Sequence, residues 1–161
     1  KIVLSQEGLI KKISKTTGME DCNRVFTPAT QDNLGADTEG EPFKEDWGYA
    51  SVIGMMMYLC NNAYPEIQFA VYQCTRFTHF PRNIHAKALK RICRYLKMIL
   101  EKNEQTGKRH GLTFKRDSEL KLECYTDADY ARLCKKEDDQ DPVFVKIRTS
   151  YTMMLNGNPI Y

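Results

Sequence analysis

The chain has 161 residues, with 24 Lys and Arg against 21 Asp and Glu, a formal charge of only +3, and 42% of its residues are hydrophobic. That composition supports a buried core of one-domain size and excludes wholesale disorder. No apolar run approaches the roughly 20 residues of a membrane span, and Lys1-Ile2-Val3-Leu4-Ser5 lacks the apolar stretch of a signal peptide. The small net charge conceals a segregation. Residues 1–75 hold 6 basic and 10 acidic side chains, residues 76–116 hold 12 and 2, and residues 117–161 hold 6 and 9, so the blocks carry −4, +10 and −3.

Ser5 followed by Leu9, Ile10, Ile13 and Gly18 predicts an amphipathic helix with an N-cap and a glycine stop. From Cys22 to Lys44 periodicity disappears among Pro28, Gly35, Gly40 and Pro42, and the stretch reads as a long loop or linker. A second helix is expected over 45–61 on Tyr49, Ile53, Met56, Met57 and Cys60, broken at Asn61-Asn62. Pro65 opens a third, with Ile67, Ala70, Val71, Cys74 and Phe77 along one face.

The fourth helix, over 83–102, buries Leu89, Ile92, Leu96 and Ile99 or Leu100. Its other side carries Lys87, Lys90, Arg91, Arg94 and Lys97 at helical spacing, a cationic ridge with no acid before Glu101. Beyond Gly107 the period changes to two. Gly111–Phe114 and Leu120–Tyr125 read as two strands of a hairpin, and Arg148–Leu155 as a further strand closed by the turn Asn156-Gly157. Pro159-Ile160-Tyr161 reads as the start of one more strand.

Five cations on one ridge repel one another, by a few tenths of a kcal/mol per helical pair, unless something anionic faces them. A phosphate backbone fits best because counterion release rewards each neutralised phosphate, while a solvated face and an acidic protein partner remain the other readings. Tyr125-Thr126-Asp127-Ala128-Asp129 ends a strand with two carboxylates, which suits either a divalent metal held by oxygen ligands or a turn former bonded to its own backbone. Glu137, Asp138, Asp139 and Asp141 read as a solvated acidic loop. Six cysteines, none closer than ten positions to the next, write no zinc pair and no disulfide framework. They suit free thiols of a reducing compartment, the cytoplasm or nucleus. His79, His85 and His110 form no ligand spacing and are expected to be solvated or to cap helices.

A series of strings occurs in one order along nearly the whole chain. They are Leu4-Ser5-Gln6-Glu7 with Ile10-Lys11-Lys12-Ile13, Gly18-Met19-Glu20-Asp21-Cys22-Asn23, Thr27-Pro28, and Tyr49 to Gly54 into Tyr58-Leu59. Pro65 to Val71, Lys90 to Lys97, Gly111 to Phe114 and Tyr125 to Ala131 follow. Together they resemble a segment of the polymerase polyprotein of copia-type LTR retrotransposons. The resemblance implies an α+β fold in which residues 1–110 form a thumb/connection-like helical region of a reverse transcriptase, with a flexible linker over about 22–44. Residues 111–161 would then be the opening strands of an incomplete ribonuclease H-like sheet. It implies that the basic helix, through Lys87, Lys90, Arg91, Arg94 and Lys97, grips template-primer or RNA–DNA hybrid without reading sequence. The rest of the polyprotein is the other implied partner, with no membrane.

Asp127 matches the first metal-binding carboxylate of the family's nuclease, and Asp129 follows as a second candidate. The intact family enzyme uses Mg²⁺, and one or two carboxylates do not hold two such ions. The family's Tyr-x-Asp-Asp polymerase motif lies upstream and its other nuclease carboxylates lie downstream, so the segment is expected to be catalytically incomplete on its own. Departures from the family pattern at Tyr64, Met98-Ile99, Arg132, Ile147 and Ser150 point to a decayed insertion. A helical module that docks an acidic protein partner on the same ridge is the alternative reading.

Overall fold

The apolar stripes close on one another in a computed structural model, which describes residues 1–30, 34–115, 120–129 and 148–160. The chain divides into two compact units, residues 2–113 and the residues from Phe114 onward together with Lys1. The first unit starts with strand β1 (Ile2–Leu4) and helix α1 (Glu7–Thr16). Helix α2 (Tyr49–Asn62) follows, then a single 3-10 turn (Pro65–Ile67) leading into α3 (Gln68–Thr75), and then the long helix α4 (Asn83–Thr106). Strand β2 (Leu112–Phe114) ends the unit by pairing with β1.

The core follows the helical period. Ile10 and Ile13 from α1, Val52, Ile53, Met56 and Leu59 from α2, Val71 and Cys74 from α3, and Leu89, Ile92, Cys93, Leu96 and Ile99 from α4 are at most 4% exposed. Of the two candidates at the end of the α4 stripe, Ile99 is the buried one and Leu100 only half-buried. Each fully buried Leu or Ile contributes on the order of 1.5–3 kcal/mol through apolar area removed from water. Gly107 stops α4 in the left-handed conformation, with φ 63°. Buried Asn103 ties three elements together: its amide donates to Glu7 at 2.9 Å, and its oxygen accepts the His110 main-chain N–H at 2.9 Å.

Two sequence expectations are corrected here. Ser5 does not cap α1; its hydroxyl lies 3.3 Å from the Tyr64 hydroxyl, and Gln6 occupies the cap position. Gly111–Phe114 does not form a hairpin with the next strand. It pairs with β1, because Gly111 at φ 152° brings the main chain against the Leu4 carbonyl, where any Cβ would collide.

In the second unit β3 (Leu122–Asp129) pairs antiparallel with β4 (Arg148–Leu155), from Leu122 opposite Leu155 to Asp129 opposite Arg148. Asn156 and Gly157, with φ of 50° and 76°, make the tight turn into β5 (Asn158–Pro159). Leu122, Tyr125, Tyr151 and Met153 of this three-stranded sheet are 39–66% exposed. The acidic cluster of residues 137–141 lies outside the described residues.

Leu96→Ala is expected to lower the unfolding free energy of the first unit by about 2–5 kcal/mol. Denaturant melts followed by fluorescence of Trp47, the chain's one tryptophan and 6% exposed, measure that loss. Gly111→Ala should destabilise the same unit, since the added methyl meets the Leu4 carbonyl and the backbone angle is strained for any residue but glycine.

Candidate functional site

Helix α4 presents its ridge to the chain's own residues 20–45. Going up the helix, the Arg82 guanidinium donates to the main-chain oxygens of Thr38 (3.0 Å) and Gly40 (3.4 Å), and the Asn83 N–H donates to the Glu41 oxygen at 3.0 Å. The Lys90 ammonium bridges both carboxylate oxygens of Glu45 at 2.7 and 2.8 Å. Arg91 donates to the Thr27 hydroxyl at 2.8 Å, Arg94 to the Asn23 carbonyl at 2.6 Å and Lys97 to the Glu20 carbonyl at 2.7 Å. One turn further, Glu101 takes Arg24 at 3.0 Å.

The described residues of 20–41 therefore lie antiparallel to α4, a strap along about 22 Å of helix. Within the expected linker over 22–44, Asn23, Thr27, Thr38 and Gly40 accept hydrogen bonds from Arg94, Arg91 and Arg82. From Asn83 to Glu101 only Lys87 is exposed. The sequence placed all five cations on a shared face, and the structure separates them into four with partners in the strap or at Glu45 and one facing water.

Hydrogen bonding and charge neutralisation differ here. Lys90 meets a carboxylate, but the acceptors of Arg91, Arg94 and Lys97 are a hydroxyl and two main-chain carbonyls, all neutral. Three full charges thus remain unneutralised by these contacts, and Lys87 adds a fourth. The Nε–H of Arg91 is buried and has no hydrogen-bond partner among the described residues.

Asp127 sits on β3 opposite Ser150, and both are exposed. Alternation puts Glu123 on the same face as Asp127. Glu123 is engaged by Lys121 at 2.9 Å, which holds its carboxyl below the usual range. No group of three or more His, Cys, Asp or Glu residues that could hold a metal occurs among the described residues. Among the described residues, Asp127 and the Lys121-bound Glu123 do not fit a two-metal site.

Over 128 residues, 80% of its length, the chain is 31% identical to the retrovirus-related Pol polyprotein from transposon RE1 of Arabidopsis thaliana. It is 30% identical over 129 residues to the corresponding polyprotein from transposon RE2 of the same plant. With a transposon Ty5-1 protein of Saccharomyces cerevisiae it shares 26% identity over 132 residues. The chain is a homologue of copia-type retrotransposon Pol polyproteins. It spans 8% of the RE1 and RE2 polyproteins and 40% of the Ty5-1 protein. No protein-family model and no solved structure matches it. No helix among its described residues is long and apolar enough to cross a membrane.

Of the three histidines expected to be solvated or to cap helices, His85 caps α4 and fastens the start of the ridge of this Pol homologue. His85 is fully buried, its ring stacked on Phe77 with centroids 4.0 Å apart. Its Nδ1 accepts the Arg82 main-chain N–H at 2.8 Å, so the ring proton sits on Nε2, which donates to the Gly35 carbonyl at 2.8 Å. Both nitrogens are satisfied in the neutral ring, and a second proton on Nδ1 would face the Arg82 N–H. Burial accordingly lowers the His85 pKa from 6.5. The local signal was the position of a histidine three residues beyond the helix start, where a side chain can reach back to the cap.

Because the unfolded chain binds this proton more readily than the folded one, His85 contributes stability that is complete above pH 6.5. That contribution declines as pH falls through the lowered folded value. Urea melts of the first unit should show a midpoint that falls as the buffer is taken from about pH 7 to about pH 5. In His85→Asn the part of that fall due to this residue is expected to vanish.

Proposed function

We propose that the chain is the part of a retrotransposon polyprotein that follows the polymerase palm, forming a thumb/connection-like helical unit and the first strands of a ribonuclease H-like sheet. Its contribution is sequence-independent contact with template-primer or RNA–DNA hybrid, and catalysis belongs to residues elsewhere in the polyprotein. The observation that carries the reading is the charge state of α4. Arg91, Arg94 and Lys97 are held by neutral acceptors and Lys87 is exposed, so the helix, with six basic side chains against two acidic ones, keeps a net positive field. A phosphate backbone answers such a field independently of base sequence.

The strap sets how that contact is made. Lys87 meets phosphate directly, whereas Arg91, Arg94 and Lys97 act through their long-range field or exchange their strap acceptors for phosphate oxygens. A guanidinium has five N–H donors and an ammonium three, so donors remain after the strap bonds are made. Asp127 is proposed as the match to the family nuclease's first metal-binding carboxylate, with Mg²⁺ belonging to the complete enzyme.

Fluorescence anisotropy with a labelled RNA–DNA hybrid across a salt series tests the contact. The logarithm of the binding constant should fall linearly with the logarithm of salt, and Lys87→Ala should lower that slope by about 1 without altering the melting curve. A flat salt dependence would remove the reading. For the nuclease-like sheet, the purified chain with Mg²⁺ should leave a hybrid uncut, and cleavage that disappears in Asp127→Asn would overturn the assignment of catalysis elsewhere.

A further inference from the structure

A cavity of about 400 Å³ opens between the strap, α3 and α4, within the size range of small-molecule sites, roughly 300–1,000 Å³. Its apolar wall is made by Pro28, Ala29 and Leu34 of the strap together with Ala70, Ala88 and Ile92 of the helices. Two kinds of group interrupt that wall. Phe69 lines the cavity yet is 61% exposed, an aromatic ring displayed to solvent on a helix that buries Ala70, Val71 and Cys74. Lys87 and Arg91 supply positive charge at the same cavity, and these are the exposed cation of the ridge and one of the three held by neutral acceptors. Gln73 adds an amide whose oxygen is already taken by Arg76 at 3.0 Å, leaving its NH₂ as the group to offer.

We propose that this cavity receives one unpaired nucleotide, its base against Phe69 and the apolar wall, its phosphate at Lys87 and Arg91. The chemistry of the lining selects that ligand class. A planar ring stacks on an exposed aromatic at little geometric cost, and every base has such a face. The two cations match the phosphate that accompanies each base, and the Arg91 guanidinium keeps N–H donors beyond the one it gives to Thr27. An apolar ligand would leave the charges of Lys87 and Arg91 without an anion, and a bare inorganic anion would leave the apolar wall and Phe69 unused. The next aromatic on the exposed side of α3 is Tyr72, 41% exposed and three residues on, which continues the stacking surface beyond the cavity.

This assignment rests on the proposed contact with nucleic acid and adds to it a preference for a single-stranded end. A blunt duplex keeps its bases stacked and offers only phosphates, so it engages the ridge without filling the cavity. A hybrid with a short unpaired overhang can do both.

Anisotropy with a labelled blunt hybrid, and with the same hybrid carrying an unpaired overhang, separates the two claims. The overhang should tighten binding by about fivefold or more. Phe69→Ala should abolish that gain and leave blunt-hybrid affinity unchanged, while Phe69→Trp keeps it. Thermal melts read by Trp47 establish that Phe69→Ala, a change at an exposed side chain, leaves the fold intact.

Equal affinity for blunt and overhanging hybrids, or an equal loss for both in Phe69→Ala, would overturn the nucleotide site while leaving the duplex contact standing. Overhang binding that depends on Phe69, with none for the blunt hybrid, would uphold the cavity and overturn the duplex grip. Phe69-dependent binding of an acidic aromatic peptide, with no gain from the overhang, would assign the cavity to a protein partner instead.

Discussion

Helix α4 has hardly any free side, and the organisation of the first unit depends on that. One face gives Leu89, Ile92, Leu96 and Ile99 to the core, and the opposite face gives its cations to a strap of residues 20–41 running antiparallel to it. A helix whose apolar stripe alone was satisfied would leave a row of repelling charges in water. Here the same row tethers a segment with too few apolar residues to bury itself. The carbonyls of Glu20, Asn23, Thr38 and Gly40, which have no place in a helix or sheet, obtain their hydrogen bonds from Lys97, Arg94 and Arg82.

The functional consequence lies in the kind of acceptor. Carboxylates would have quenched the cations of the helix, and among the described residues only Glu45, at Lys90, does so along this face, while Glu101 is the helix's own acid and takes Arg24 of the strap. Neutral carbonyls and a hydroxyl orient Arg91, Arg94 and Lys97 without cancelling them. The strap consequently stiffens the cationic helix and keeps its field, a compromise between folding, which needs partners for these side chains, and polyanion binding, which needs their charge. The cavity beside Lys87 and Arg91 is a product of the same arrangement, because the strap forms one of its walls.

The strand-rich unit follows a different logic. Its described residues form an antiparallel ladder with a well-defined register and a tight Asn-Gly turn, but Leu122, Tyr125, Tyr151 and Met153 stay exposed across it. Among the described residues Asp127 belongs to no group of three or more His, Cys, Asp or Glu side chains that could hold a divalent ion. Its relatives are far longer, since the chain spans 8% of the RE1 polyprotein. Backbone pairing and a carboxylate position are present in this unit, and the groups that would make a metal site are not among its described residues.

The sequence by itself determined the four helices, their buried stripes, the Gly107 stop, the Asn156-Gly157 turn and the clustering of charge. Each of these depends on residues within a few positions of one another, where period and turn chemistry act. The order of its strings also carried the resemblance to copia-type Pol polyproteins that the relatives bear out. Only the tertiary structure decided that β2 pairs with β1, that His85 fastens Gly35, and that the cationic ridge faces its own chain. The ridge acceptors lie 45 to 77 positions from the cations they serve, and nothing in the local pattern of Glu20, Asn23, Thr27 or Glu45 marks them as acceptors. Contacts closed by folding across such distances are set by how the core positions the helix, so a face that reads as open in the sequence is largely occupied in the folded chain.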